Sequence, residues 1–189
     1  MLEKPYHHGD LQNALIEAGI ELINEKGIGQ FSLRKVAAIC GVSHTAPYAH
    51  FKDIDALMTA MSEHVTNQFM KVLHAAVKRN SNGKSAIRAL GRTYISFFAK
   101  HPNYYQFLFY NSDVTIDLDN DNAGDYQPFA LFRESVYKIL DGFPPAQKKR
   151  TLIALWSQVH GITALLTNKH IKYSGDWRNI IDSMKGKIL

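Results

Sequence analysis

The chain has one cysteine, Cys40, among 189 residues, and this excludes an intramolecular disulfide. It also lacks any apolar run near the ~18–20 residues that a membrane-spanning helix needs. Its first ten residues are polar and do not resemble a secretory signal. We therefore expect a cytoplasmic protein. Cys40 falls on the apolar side of a predicted helix, where we expect a buried and unreactive thiol.

The motifs of common catalytic and metal sites are also missing. There is no glycine-rich phosphate loop, no Gly-x-Ser-x-Gly turn and no metalloprotease helix, so we do not predict an enzyme or a cofactor. The nine histidines are scattered rather than grouped as metal ligands. The acidic run 117–125 resembles the start of a calcium loop, but Asn122 and Pro128 stand where an EF-hand needs Gly and Glu. We expect a solvated loop there and no metal.

The net charge of +5 and the pI near 9.2 suit an anionic partner without naming it. Residues 1–52 hold five Lys or Arg and five Asp or Glu, so the excess of positive charge lies in the rest of the chain. Any affinity of the first 52 residues for nucleic acid must come from the local placement of Arg34, Lys35 and Lys52, and from hydroxyl and histidine side chains.

Apolar residues recur at helical spacing in almost every segment, and we predict an all-α protein of about nine helices. Asp10, Ser32 and Ser43 are the expected N-caps of the first three helices, with Gly27 and Gly41 as stops after the first two. The expected inward faces include Ile39 and Val72. The predicted helices cover about residues 11–25, 33–40, 44–50, 53–78, 84–100, 103–110, 127–141, 146–170 and 175–187. Only a few residues around 114–118 suggest β-alternation.

Residues 32–52 have the form of a helix-turn-helix, in which the second helix enters the major groove of DNA. Ala37 is small enough for the two helices to approach closely. Gly41 permits the positive φ of the turn. Val42 and Phe51 are apolar where the unit must pack on the first helix. A helical hairpin that only packs is the alternative.

The same stretch resembles the DNA-binding motif of the TetR family of bacterial transcriptional regulators. The match consists of Val36-Ala37, Gly41-Val42-Ser43, Tyr48, Phe51-Lys52 and Leu57. Pro47 departs from the aliphatic residue that is more common there. The resemblance implies an N-terminal domain, residues 1–52, that binds an operator. It implies a second domain, residues 53–189, that senses a small molecule and dimerises.

The residues expected at the DNA divide by role. His44, Thr45 and Ala46 are placed to read bases, and Tyr48 and Lys52 to contact phosphates. Arg34, one turn into the preceding helix, can reach the backbone or a guanine edge. The complete expected DNA-binding set is Ser32, Arg34, Lys35, Ser43, His44, Thr45, Ala46, Tyr48, His50 and Lys52.

The larger half is rich in aromatic residues, and the resemblance implies an effector pocket among them. An aromatic cavity would accept a flat or apolar molecule, although plain core packing explains any single ring as well. The segment Trp156-Ser-Gln-Val-His160-Gly161 resembles a Trp…His-Gly signature of one branch of such domains. The expected ligand-binding residues are Tyr94, Phe97, Phe98, Tyr105, Phe109, Phe132 and His160.

The last two predicted helices have apolar faces that a second copy of the chain would cover in a four-helix interface. The expected dimer residues are Leu155, Val159, Ile162, Leu166, Ile180, Ile181 and Met184. Taken together, the sequence indicates a dimeric, ligand-responsive repressor that binds an operator. A helical protein–protein adaptor is the alternative, and salt-dependent binding to duplex DNA separates the two.

Overall fold

The computed structural model describes residues 11–80, 83–119, 126–177 and 179–180. This part of the chain is all-helical, as predicted, and the stretch 114–118 is extended without forming a strand. It holds seven α-helices, which are α1 (Leu11–Lys26), α2 (Leu33–Ile39), α3 (Ile54–Arg79), α4 (Gly83–Lys100), α5 (Pro102–Tyr110), α6 (Gln127–Ile139) and α7 (Pro145–Thr167). Two short 3₁₀ helices, Ile28–Gln30 and Ala46–Ala49, lie beside α2 in the sequence.

The predicted count of nine helices differs from the structure at two places. The third predicted helix is the 3₁₀ segment Ala46–Ala49. The last one, about residues 175–187, falls mostly outside the described residues. The other boundaries agree to within a few residues, because local signals set them. Gly27 has φ 79° after α1, and Gly41 has φ 68° after α2. The expected cap Asp10 lies outside the described residues.

The chain forms two compact units. The first contains the described residues up to Val65 together with Gln106–Asp113, and the second contains Thr66–Tyr105 together with the described residues from Val114 onward. The change of unit therefore falls inside α3. The domain boundary between residues 52 and 53 stays a prediction.

The core of the first unit is formed by α1, α2 and the first half of α3. Leu15, Val36 and Leu57 are fully buried there, and burying a side chain of this size stabilises a fold by about 1.5–3 kcal/mol. Gly19 allows α1 to approach α3, since a Cβ at Gly19 would lie 2.8 Å from the Sδ atom of Met61.

Two side chains of α2 differ from the sequence prediction. Ile39 is 53% exposed, because it lies about 120° around the helix from the face that Leu33 and Ala37 bury. Cys40 is half-buried rather than fully buried. Its partial burial nevertheless raises the pKa of the thiol, which keeps it protonated and unreactive at neutral pH.

The second unit is built from the second half of α3 with α4, α6 and α7, and the last three pack on one another. Phe69 of α3 is fully buried among the rings of Tyr94, Phe97 and Phe98. The expected inward position Val72 is wrong. Its side chain is 39% exposed and Leu73 is buried in its place, because α3 follows a four-residue spacing from Leu57 through Phe69 to Leu73.

Candidate functional site

The first candidate surface is the helix-turn-helix segment of the first unit. Ser32 caps α2, with its side-chain oxygen accepting from the Lys35 amide at 3.3 Å. Gly41 then turns the chain, and residues 43–51 form what we call the recognition turn. Pro47 and Phe51 are the buried residues of this turn, and most of its other side chains are exposed.

The recognition turn is not the α-helix predicted for residues 44–50. Three of its amides bond three residues back, from Ala46 to Ser43 at 3.0 Å, from Tyr48 to Thr45 at 3.1 Å and from His50 to Pro47 at 3.0 Å, and only the last amide, that of Phe51, bonds four residues back, to Pro47 at 2.9 Å. Pro47 has no N–H, so it cannot bond the Ser43 carbonyl as an α-helix requires. The expected cap by Ser43 is also wrong, since its hydroxyl pairs with the Thr45 hydroxyl at 3.1 Å.

All the expected DNA-binding side chains lie at the surface of this segment. The side chain of Tyr48 is 59% exposed. In a 3₁₀ segment residues three apart lie above one another, so Thr45 and Tyr48 share one side. The exposed members of the set are Arg34, Lys35, Ser43, His44, Thr45, Tyr48, His50 and Lys52, and the half-buried ones are Ser32 and Ala46.

The charge around the helix-turn-helix is more favourable for binding DNA than the count over residues 1–52 suggested. The acidic residues of that range all occur at or before Glu25, and the next one in the chain is Asp53. Residues 26–52 therefore hold four Lys or Arg and no Asp or Glu. The Asp53 carboxylate caps α3 by accepting from the Ala56 amide at 2.8 Å. A shorter sequence window would have shown this basic segment.

The second candidate site lies in the second unit around His160 of α7. Its Nδ1 atom is 2.9 Å from the Tyr94 hydroxyl, and its Nε2 atom is 3.1 Å from the Tyr105 hydroxyl. Tyr105 also lies 3.4 Å from the His160 carbonyl oxygen. We call these three residues the tyrosine–histidine chain.

Both ring nitrogens of His160 are within hydrogen-bond distance of a tyrosine hydroxyl. A neutral imidazole donates from one ring nitrogen and accepts at the other, so it can pair with both hydroxyls. Burial lowers the pKa of His160, because the charged imidazolium would lose its hydration. The ring is therefore neutral at pH 7.

Trp156 connects the tyrosine–histidine chain to other aromatic rings of the second unit. It stacks on the His160 ring, with centroids 5.6 Å apart and an interplanar angle of 22°. It also meets Tyr94 and Phe129 edge-on at 5.3 and 5.1 Å. Trp156 is not among the expected ligand residues, although its position four residues before His160 places both on one face of α7.

Beside Trp156, side chains of the helices α3, α4, α6 and α7 line a small, partly open apolar cavity of about 10 Å³. This volume holds one water molecule at most. We call it the aromatic cavity, and its lining is formed by Phe69, Leu73, Leu90, Gly91, Tyr94, Pro128, Phe132, Trp156 and Val159.

The expected ligand residues divide into four groups. Tyr94 and Phe132 line it. Tyr105 and His160 belong to the tyrosine–histidine chain, while Phe97 and Phe98 are buried packing residues of α4. Phe109 falls in the first unit, apart from the other six. Phe69 and Leu73 of α3 were missed, because their apolar spacing is that of any core face.

Several of the expected dimer residues leave apolar surface uncovered on α7. Leu155, Val159 and Leu166 are half-buried, whereas Ile162 is buried within its own chain and offers little to a partner. Leu165, which the sequence did not single out, is 54% exposed. A Cβ at the exposed Gly161 would meet no atom within 4 Å. Ile180 is half-buried, and Ile181 and Met184 lie outside the described residues.

The acidic loop gives no support to a calcium site in its described residues. The Asp117 carboxylate accepts from the Asp119 amide at 2.8 Å, and Asp119 pairs with Lys149 at 3.3 Å. Across the described ranges no three His, Cys, Asp or Glu side chains come together as metal ligands. None of the described helices is long and apolar enough to cross a membrane.

Solved structures share this fold over nearly the whole chain. A protein of unknown function from Rhodococcus sp. RHA1 is 24% identical, with 98% of this chain and 97% of that chain covered and a TM-score of 0.71. A TetR-family transcriptional regulator from Haemophilus influenzae is 18% identical, with 92% and 93% covered and a TM-score of 0.69. The fatty acid degradation regulator of Bacillus halodurans is 13% identical, with 94% of each chain covered and a TM-score of 0.71.

Two family profiles match the sequence itself. The profile of bacterial regulatory proteins of the tetR family matches residues 15–61. The profile of the tetracyclin repressor-like C-terminal domain matches residues 87–185, which is more than half of the chain. These matches cover the helix-turn-helix and the aromatic unit respectively. The chain therefore belongs to the TetR family of DNA-binding bacterial transcriptional regulators.

Proposed function

We propose that this protein is a dimeric, ligand-responsive repressor whose recognition turn contacts the operator. The observation that carries the proposal is the acid-free segment 26–52, which exposes Arg34, Lys35 and Lys52 as well as the ring of Tyr48. Exposed cations and hydroxyls are the groups that bind a phosphate backbone.

Individual side chains of the recognition turn have separate roles in this proposal. His44, Thr45 and Ala46 lie at its start and read base edges in the major groove. Tyr48 donates its hydroxyl to a phosphate, and Lys52 contributes charge to the same backbone. Arg34 and Lys35, in the first turn of α2, make further phosphate contacts that fix the position of the protein along the DNA.

A second copy of the chain completes the repressor by packing on α7. Gly161 permits a close helix approach there, and the neighbouring Leu155, Leu165 and Leu166 provide apolar area. Two recognition turns related by a two-fold axis match a palindromic operator. The stacking of Trp156 on His160 supports placing the chain in the branch with a Trp…His-Gly signature.

The effector acts through α3 in this proposal. This single helix carries Leu57 of the core beneath the recognition turn, and it also carries Phe69 and Leu73 of the aromatic cavity. A ligand that enlarges the cavity displaces α3 and changes the spacing of the two recognition turns. It must bind this state more tightly than the operator-bound state, since equal affinity would shift nothing.

The test compares two substitutions in the recognition turn by their effect on DNA sequence preference. Tyr48→Phe removes one hydroxyl and should weaken binding to all duplexes about equally, whereas His44→Ala should change which base is preferred. Tyr173→Phe is the matched control, because Tyr173 is 52% exposed but lies in the second unit. A Tyr48→Phe protein with altered base preference and unchanged overall affinity would contradict these roles.

A further inference from the structure

The aromatic cavity indicates what kind of effector the protein binds. We propose that it takes an uncharged, planar and largely apolar molecule, with one hydrogen-bonding group that pairs with the tyrosine–histidine chain. This inference rests on the proposed function, in which the cavity is the effector site.

The composition of the lining excludes a charged ligand. Its members are apolar or aromatic, and only Tyr94 and Trp156 carry a polar side-chain atom. A carboxylate or ammonium group placed there would lose its hydration without gaining an opposite charge from any lining residue. The buried Arg133 lies outside this lining, beside Phe129.

Aromatic rings attract cations, so a second observation is needed to exclude a positively charged ligand. Arg133 is buried, and its guanidinium carbon lies 6.0 Å from the centroid of the Phe129 ring. Phe129 in turn meets Trp156 edge-on. A positive charge thus already lies next to this ring cluster and opposes a second one.

The cavity must grow before it can hold a ligand, and the burial of its lining indicates which side chain moves. A cavity of about 150 Å³ accepts a molecule of the size of benzene, so about 10 Å³ must increase more than tenfold. Most of the lining is buried, whereas Trp156 and Val159 are half-buried. An outward rotation of the Trp156 ring enlarges the cavity at the expense of its edge contact with Tyr94. A ligand that fills the enlarged cavity then presses on Phe69 and Leu73 of α3. A planar molecule can then stack or meet the remaining rings edge-on.

The same movement uncovers the polar end of the site. Trp156 covers one face of the His160 ring, and Tyr94 belongs both to the cavity lining and to the tyrosine–histidine chain. A hydroxyl and a neutral imidazole can each donate or accept a hydrogen bond. They therefore suit a phenol, an alcohol or a carbonyl group.

The experiment uses four probes with one ring and different substituents: p-cresol, toluene, p-toluate and 4-methylbenzylammonium. Binding is followed by Trp156 fluorescence in the full chain with Trp177→Phe, because these are the two tryptophans. We expect saturable binding of p-cresol, about fivefold weaker binding of toluene, which lacks the hydrogen bond, and at least about tenfold weaker binding of both charged probes.

Two hydroxyl deletions form a matched pair for the polar contact. Tyr94→Phe should make p-cresol and toluene bind equally. Tyr104→Phe should keep their difference, because Tyr104 is equally buried but pairs with Gln68 and does not line the cavity. Circular dichroism checks that both variants fold. Val159→Phe fills the cavity and should abolish binding of all four probes.

Three results would overturn the inference: a charged probe that binds as tightly as p-cresol, no saturable binding by any probe, or p-cresol binding that survives Val159→Phe. They do not touch the DNA-binding part of the proposed function, which is measured separately on the same protein. A charged probe that binds and also releases DNA would refute the ligand class while leaving the effector site in place.

Discussion

The substitution Lys52→Gln tests the electrostatic part of DNA binding quantitatively. Lys52 is exposed immediately after the recognition turn, in a segment without acidic residues. Each phosphate contact by a cation contributes about 0.9 to the slope of log affinity against log salt concentration. The proposed dimer presents Lys52 twice, so the slope should decrease by about 1.8.

This change in slope has a direct consequence for affinity. Between 50 and 200 mM salt the ratio of wild-type to variant affinity should shrink by about tenfold. Fluorescence anisotropy on a labelled operator duplex at four salt concentrations measures it. Lys100→Gln is the control, because Lys100 is also exposed but lies in the second unit. Equal slopes for the wild type and Lys52→Gln would refute a phosphate contact by Lys52.

Two further predictions concern stability and assembly. Burial lowers the pKa of His160 below its usual value of 6.5, so His160 takes up a proton in the unfolded chain before it does so in the folded one as the pH falls. The free energy of unfolding should therefore decrease below about pH 6.5, with a slope of at most ~1.4 kcal/mol per pH unit. His160→Gln should flatten this dependence in urea unfolding at pH 5–8, and an unchanged slope would contradict it. Gly41→Ala should destabilise by about 1 kcal/mol because of its positive φ. Gly161→Ala should leave the unfolding free energy of the monomer equal or higher but weaken the dimer in sedimentation, and a dimer of unchanged affinity would exclude Gly161 from the interface.

The sequence predicted best what depends on a few neighbouring residues. The cap by Ser32 and the stop at Gly41 are local, and the structure confirms both. The α-helix predicted for residues 44–50 was wrong, although this segment also depends on neighbouring residues. The prediction underestimated the effect of Pro47 on the helical hydrogen bonds. The three-residue bonding pattern of the recognition turn leaves the same side chains exposed, so the expected DNA-binding set remains at the surface.

The aromatic site was less predictable because it depends on packing between distant segments. The cavity joins α3, α4, α6 and α7, and its size depends on how Val159 fits against Gly91 and how Trp156 packs on Tyr94. No spacing rule gives this fit. Tyr94 and His160 were identified by type, but their direct hydrogen bond follows only from the way α4 packs on α7.

The measurement that tests the central claim most directly is fluorescence anisotropy of the purified protein on duplex DNA from the region upstream of its own gene. An unrelated duplex of equal length is the control, and both are titrated across a salt series. The account predicts binding that exceeds the control and falls steeply with salt. Weak binding to both duplexes that is unchanged by salt and by Tyr48→Ala would contradict a DNA-binding role for the recognition turn.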